Sequence, residues 1–272
     1  MKDYFGCNAD CLNDKKLFLF DMDGTIYLDN DLFDGTSDLL SLISERSGEY
    51  VFVTNNSSKS VDTYIQKLSR MGIETEKRNF FTSAQATVMM LNEKYSGVKV
   101  FCMGTKALID ELSEGGVNVT EDVEDDVGLV LIGFDNELTF KKLENACILL
   151  KRDIPYYATN CDLRCPVSFG YVPDCGSFCM MLKNATGREP VFIGKPEPTM
   201  IYAAMERYGA TVEQTVVFGD RIYTDIEAGL NAGVTSVCVL SGEVTLDDIA
   251  ASRRKPTLVF KSVKEIYREM IG

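Results

Sequence analysis

Leu17-Phe18-Leu19-Phe20-Asp21-Met22-Asp23-Gly24-Thr25 joins a four-residue apolar run of strand type to two acids spaced i, i+2, a glycine and a hydroxyl residue. A strand with no polar alternation is one buried on both faces, as in a parallel sheet covered by helices. In such sheets ligands bind beyond the carboxyl ends of the strands. Two carboxylates delivered to that edge point to metal or nucleophile chemistry. An Asp-Gly turn closing a strand is the ordinary alternative, so the reading depends on what the rest of the chain places beside it.

Three later segments have the same design. Tyr50-Val51-Phe52-Val53 runs into Thr54-Asn55-Asn56-Ser57-Ser58, a cluster of short hydrogen-bonding side chains opening a helix, where unpaired N–H groups can meet an anion. Pro190-Val191-Phe192-Ile193 runs into Gly194-Lys195-Pro196, and Thr215-Val216-Val217-Phe218 into Gly219-Asp220-Arg221, with Asp225 at the start of the next helix. If all four strands are parallel, their ends share one edge of a sheet. Three or four carboxylates, a lysine and a hydroxyl/amide cradle then meet. Each residue also has an ordinary structural use: Asp220 in a turn, Lys195 on the surface, Thr54-Asn55 as a helix N-cap. Their joint occurrence favours chemistry.

Strand-like runs alternate with amphipathic helical stretches along the chain, the rhythm of an α/β protein with a largely parallel, doubly wound sheet. Helices are predicted over 34–47, 58–71 and from a cap at Ser83 to about Tyr95, with a last one from Ser262. Further strands are predicted at Val98–Met103, Val127–Gly133, Pro155–Thr159, Val234–Leu240 and Thr257–Phe260. The acidic run 121–126 reads as a solvated turn.

Bulk properties narrow the function. The 272 residues allow one large or two modest domains, and 45% hydrophobic with 25% charged residues supports a substantial core. A formal net charge of −13 argues against nucleic acid and anionic membrane surfaces as partners, and requires a local cation to draw in any anionic substrate. The start Met1-Lys2-Asp3-Tyr4-Phe5 lacks a basic segment followed by an apolar stretch, and no apolar run reaches membrane-spanning length; a cytoplasmic location is expected. Nine scattered cysteines fit reduced thiols. The CxxxC pairs Cys7/Cys11, Cys161/Cys165 and Cys175/Cys179 are read as incidental, since cysteine fills cores well. The chain has no histidine, which removes Ser-His-Asp and Cys-His catalysis and histidine-ligated metal sites.

The inventory suits phosphoryl transfer. A carboxylate attacking a phosphate monoester must overcome repulsion between two anions, and Mg²⁺, which prefers oxygen ligands, cancels much of it. Attack by an aspartate splits the displacement through an aspartyl-phosphate. Asp23 could protonate the leaving oxygen and later deprotonate the attacking water. Lys195 would neutralise charge on the transferring group, with Thr54 and Asn55 orienting it.

On these residues the chain resembles the haloacid dehalogenase superfamily, specifically its NagD-like, p-nitrophenylphosphatase-type phosphatases, over essentially everything after Lys16. Asp21-Met22-Asp23-Gly24-Thr25 matches the DxDGT motif, Thr54-Asn55 the second motif, Lys195 the third, and Gly219-Asp220 with Asp225 the fourth. The resemblance implies Asp21 as nucleophile and Asp23 as acid/base. It also implies Mg²⁺ held by the Asp21 carboxylate, the Asp23 carbonyl and the Asp220 carboxylate, with Asp225 in a supporting position or acting through water.

Spacing locates an insertion. Asp21 to Thr54 spans 33 residues and Lys195 to Asp220 spans 25, each room for a helix and a strand, but Thr54 to Lys195 spans 141. The expected division is a discontinuous Rossmann-like core, 1–82 with 185–272, and an inserted α/β cap, 83–184. In the family that cap excludes water and selects substrates. Asn160, Asp162, Arg164, Asp174 and Cys175 are its candidate specificity residues. Cys161 and Asp174 stand where several relatives carry proline and glycine. Arg164 reads more readily as a surface arginine.

The expected activity is hydrolysis of small phosphate monoesters such as sugar phosphates or nucleoside monophosphates. Phosphotransfer to another hydroxyl, as in a mutase, is the alternative enzyme reading, and a non-catalytic binding protein the alternative from another class. Relatives frequently dimerise through the cap, so the resemblance admits a homodimer.

Overall fold

The structure, a computed structural model, describes residues 1–167 and 169–272. Its backbone divides into two compact units: residues 1–54, 65–81 and 195–272 form one, and residues 55–64 with 82–194 form the other.

The first unit is built on a six-stranded sheet in the order Leu258–Phe260, Thr235–Val239, Thr215–Gly219, Leu17–Phe20, Glu49–Thr54, Phe80–Thr82. The pairings that join the first five of these strands are all parallel. The opening run Leu17–Phe20 occupies an interior position and is buried at every residue, which is why it carries no alternation. From it the chain proceeds to Glu49–Thr54 on one side; after the insertion it resumes at Thr215–Gly219 on the other. The order therefore reverses between Leu17–Phe20 and Thr215–Gly219. Helices Thr36–Glu45 and Val263–Ile271 pack on each other, as do Thr199–Tyr208 and Glu227–Ala232. Right-handed crossovers running outward in opposite directions send these two pairs to opposite faces. The sheet is doubly wound, as the sequence rhythm predicts.

Aromatic stacking fixes the register at the reversal. Phe20 pairs in register with Phe218 and their rings stack 4.6 Å apart. The residues that follow each ring, Asp21 and Gly219-Asp220, thus leave the sheet side by side.

The second unit carries a five-stranded parallel sheet in the order Val191–Phe192, Tyr156–Ala158, Val127–Ile132, Lys99–Met103, Val119–Thr120. Helices Ser83–Lys94, Lys106–Glu114, Phe140–Leu149 and Cys175–Thr186 accompany it, and strands Arg164–Val167 and Gly170–Pro173 pair antiparallel. Phe101, Val130, Ile132, Phe134 and Phe178 belong to its buried core.

Several boundaries differ from the sequence reading. The strand before Lys195 does not join the first sheet: Val191 and Phe192 pair with Tyr157 and Ala158, so 185–194 groups with the inserted unit rather than with the core. An apolar run shows that a strand will form but carries no information on which sheet edge is free to take it. Residues 55–64 also fall in the second unit, although the expected core ran unbroken to 82. The helix after Asn55 begins at Val61, so Thr54-Asn55 does not sit at a helix N-terminus. Thr82, not Ser83, caps the next helix, in a reciprocal arrangement with Gln85. Asp225 lies in a π-helical turn, Ile222–Ile226, that precedes the helix proper. In the acidic run, Lys99 binds Glu124 and Asp126 at 2.8 Å each. Among the described residues no helix is long and apolar enough to cross a membrane.

Phe20 is fully buried and its ring aligns the two strands of the reversal. Phe20→Ala should lower the unfolding free energy of this unit by about 3–5 kcal/mol, measured by urea denaturation.

Candidate active site

Asp21 and Asp220 emerge from adjacent parallel strands at the point where strand order reverses, the crevice in which doubly wound sheets bind ligands. The Asp21 N–H donates to the Phe218 carbonyl at 2.9 Å, extending the ladder by one bond and fixing where the Asp21 side chain starts. The π-helical turn brings Asp225 to the same place. Carboxylate oxygens of Asp21, Asp220 and Asp225 lie within 4.8 Å of one another.

Lys195 binds two of these three acids. It is 2% exposed, and its Nζ donates to Asp21 Oδ1 at 2.5 Å, Asp225 Oδ1 at 2.6 Å and the Val53 carbonyl at 2.9 Å. Burial works against its charge, but the Asp21 and Asp225 carboxylates outweigh that and raise its pKa, so it remains an ammonium. Asp21 is raised well above the usual carboxylate range by burial, which Lys195 opposes and Asp225 and Asp220 reinforce. Asp220 is pushed up to about 7, chiefly by burial and then by the Asp225 charge.

The cluster fits a divalent cation. Its donors are carboxylate oxygens, the ligand type Mg²⁺ takes. Asp220 Oδ2 accepts from the Glu243 N–H at 2.7 Å, whereas Asp220 Oδ1 is buried without a hydrogen-bond partner. Such an orphaned atom is costly unless something else satisfies it. Glycines make room beside the other oxygen: a Cβ on Gly24 would lie 2.5 Å from Asp220 Oδ2, and one on Gly242 would overlap the same carboxylate. Gly24 also has φ +87°, a left-handed conformation suited to glycine. Asp225 has both oxygens engaged within the protein, Oδ1 with Lys195 and Oδ2 with the Arg221 N–H at 3.2 Å.

Asp23 faces a different environment. The Gly24 N–H donates to the Tyr27 carbonyl at 2.8 Å, closing the turn after the first strand. That turn brings the Tyr27 hydroxyl within 3.4 Å of Asp23 Oδ2, while Lys67 Nζ stands 3.8 Å from Asp23 Oδ1.

Thr54 and Asn55 are both buried. Asn55 belongs to a polar network inside the second unit. Its Nδ2 donates to Asp162 Oδ2 at 2.7 Å, Asn160 Nδ2 donates to Asp162 Oδ2 and Asp174 Oδ1 at 3.0 Å each, and Asp174 Oδ1 accepts from the Cys175 N–H at 2.5 Å. Asn160, Asp162, Asp174 and Cys175 are all buried. These hydrogen bonds follow the rule that buried polar groups are paired. Of that set only Arg164 is exposed, with its guanidinium 4.3 Å from the Tyr171 ring centroid.

Sequence reasoning passed over Lys67, Tyr27 and Gly242. Tyr27 lies four residues beyond Asp23 in a tight turn, a spacing that could have marked it. Lys67 sits in an amphipathic helix and Gly242 in a distant loop, and neither follows a strand that ends in acids.

A family profile described as haloacid dehalogenase-like hydrolase matches residues 18–118, and a HAD-hydrolase-like profile matches residues 192–266. The acid sugar phosphatase of Staphylococcus aureus is 32% identical over 94% of this chain and 98% of its own length. Among solved structures, the 4-nitrophenylphosphatase of Thermotoga maritima superposes with a TM-score of 0.90 at 36% identity, covering 95% of this chain and 98% of its own. NagD of Escherichia coli K-12 gives 0.84 at 31% identity, covering 92% and 98%. A glycerol phosphate phosphatase from Mycobacterium tuberculosis, in complex with magnesium, gives 0.88 at 28% identity, covering 94% of this chain and 77% of its own.

A carboxyl with a raised folded pKa binds its proton more tightly in the native state than in the unfolded chain. Its stabilising effect is complete below the unfolded value and is lost as pH rises to the folded one. For Asp220 that window runs from about 4 to about 7. In chelator, the thermal midpoint should fall as pH rises across it, and Asp220→Asn should flatten the decline in parallel melts.

Proposed function

Given that the chain belongs to the haloacid dehalogenase-like hydrolases, as a phosphatase of their NagD-like, p-nitrophenylphosphatase branch, we propose that it hydrolyses small phosphate monoesters, sugar phosphates among them, with Mg²⁺ through an aspartyl-phosphate on Asp21. The observation that carries this reading is the cluster of Asp21, Asp220 and Asp225 about the buried Lys195, with the unpartnered Asp220 Oδ1 beside it.

In the first half-reaction an Asp21 carboxylate oxygen bonds to phosphorus as the bond to the leaving oxygen breaks. The Asp23 carboxyl gives its proton to that oxygen, releasing the alcohol. In the second, water attacks the phosphorus of the aspartyl-phosphate and the Asp21–phosphorus bond breaks. Asp23, now a carboxylate, takes a proton from the water, which restores the Asp23 acid and the Asp21 carboxylate and frees phosphate. Lys195 restrains the Asp21 carboxylate, and its charge offsets the negative charge of the transferring group. Thr54 and Asn55 orient that group. The Asp21 and Asp220 carboxylates and the Asp23 carbonyl would hold Mg²⁺, with Asp225 in support through Lys195 and the Arg221 N–H. The cation supplies charge neutralisation between two anions and a fixed docking point for phosphate oxygens.

The relatives' names, an acid sugar phosphatase, a glycerol phosphate phosphatase and a 4-nitrophenylphosphatase, support esters of this kind as substrates. The magnesium complex of the glycerol phosphate phosphatase supports the choice of cation.

Phosphate release from sugar phosphates, glycerol phosphate, nucleoside monophosphates and p-nitrophenyl phosphate tests the proposal. Release should require Mg²⁺, stop in chelator and be lost in Asp21→Asn. Undiminished release by Asp21→Asn would remove the nucleophile, and transfer to an added alcohol without phosphate release would make the chain a phosphotransferase. Lys195→Ala should lower kcat by about 10²-fold or more, the scale of losing one charge-stabilising group; an unchanged kcat would remove its assigned role.

A further inference from the structure

Asp23 is held from two sides by residues that have no place in the mechanism above. Its side chain is 36% exposed, so water alone would leave the carboxyl free to change rotamer. Its two oxygens are instead addressed separately: the Tyr27 hydroxyl donates to Oδ2 at 3.4 Å, and the Lys67 ammonium stands 3.8 Å from Oδ1. Lys67 and Tyr27 also contact each other, with Lys67 Nζ 3.6 Å from the centroid of the Tyr27 ring. That distance is within the range of a cation–π interaction. The three side chains close into a triangle.

Each corner is anchored by the fold. Tyr27 is fully buried, and its backbone carbonyl accepts from the Gly24 N–H in the turn that carries Asp23. Lys67 lies on the helix Val61–Arg70, whose Val61, Tyr64 and Leu68 are buried. Its own side chain is only 19% exposed, unlike a solvated surface lysine. Contacts of 3.4 and 3.8 Å are long for hydrogen bonds, as catalytic contacts commonly are before substrate binds.

We infer that Lys67 and Tyr27 are positioning residues for Asp23, fixing its carboxyl where it meets the leaving oxygen of the substrate. This rests on Asp23 acting as the general acid proposed above. The part of Lys67 is to hold a carboxyl whose displacement by an ångström would slow proton transfer.

The leaving group separates this role from a structural one. A sugar or alkyl alcohol leaves poorly without a proton, whereas p-nitrophenolate leaves readily as an anion. For each ester kcat/KM covers the steps through departure of the leaving group, before the dephosphorylation that all substrates share. The measurement is kcat/KM with Mg²⁺ on glycerol phosphate and on p-nitrophenyl phosphate for the wild type, Lys67→Met, Lys67→Arg, Tyr27→Phe, Asp23→Asn and the Lys67→Met/Asp23→Asn double variant.

Lys67→Met should lower the ratio of glycerol phosphate to p-nitrophenyl phosphate kcat/KM by about 10-fold or more, a fraction of the 10²–10⁴-fold that general acid catalysis supplies. Tyr27→Phe, which removes only the hydroxyl, should shift the ratio the same way, and Lys67→Arg should restore part of it. In the Asp23→Asn background Lys67→Met should change the ratio no further. Equal loss on both esters in Lys67→Met and in Tyr27→Phe, or additive loss in the double variant, would overturn the inference. A wild type that releases phosphate from neither ester would instead remove the phosphatase reading on which it rests.

Discussion

The Lys195 ammonium, buried with the carboxylates of Asp21 and Asp225 against it, is the interaction on which the candidate site depends. Three carboxylates with oxygens inside 4.8 Å repel one another. At an effective dielectric of 20, a pair of unit charges about 5 Å apart costs about 3 kcal/mol. Lys195 offsets part of that repulsion by binding two of the three acids. Its remaining bond, to the Val53 carbonyl, ties it to the strand beside Asp21. Asp220 is the acid left outside that arrangement, with one buried oxygen unsatisfied. The electrostatic deficit is therefore concentrated where a cation would act, and the carboxyls of Asp21 and Asp220 are raised first by burial and then by the neighbouring carboxylates.

Topology brings these charges together. The reversal of strand order between Leu17–Phe20 and Thr215–Gly219 opens the space into which Asp21 and Asp220 project, and the stacked rings of Phe20 and Phe218 set the register from which both depart. The glycines at 24 and 242 allow backbone to approach the Asp220 carboxylate at distances no side chain would permit. Asp23 then differs from Asp21 through environment alone. Two residues further along the same turn, it is partly exposed and has Tyr27 and Lys67 beside it instead of the carboxylates around Lys195. Two acids from one short motif are thereby suited to two different proposed tasks, attack and proton transfer.

The second unit has its own polar centre. Asn55, Asn160, Asp162 and Asp174 are buried together and hydrogen-bond to one another, and the Cys175 N–H joins the network at the start of the helix Cys175–Thr186. A network of this kind gives rigidity when every member is paired. It restrains the side chain of Asn55.

The sequence by itself determined the α/β class, the presence of an insertion and the identity of the acidic cluster with its lysine. Those follow from local chemistry: an apolar strand ending in Asp21-Met22-Asp23-Gly24 or in Gly219-Asp220 encodes both the strand and what stands at its end, and the 141-residue gap exceeds any single crossover. Only the tertiary structure decided that Val191–Phe192 pairs with Tyr157–Ala158, that Asn160, Asp162 and Asp174 are turned inward, and that Lys67 and Tyr27 flank Asp23. Each of these depends on which partner a segment meets across a long stretch of chain. Periodicity and motif spacing record what a residue offers its neighbours in sequence, whereas burial and pairing are fixed by neighbours in space.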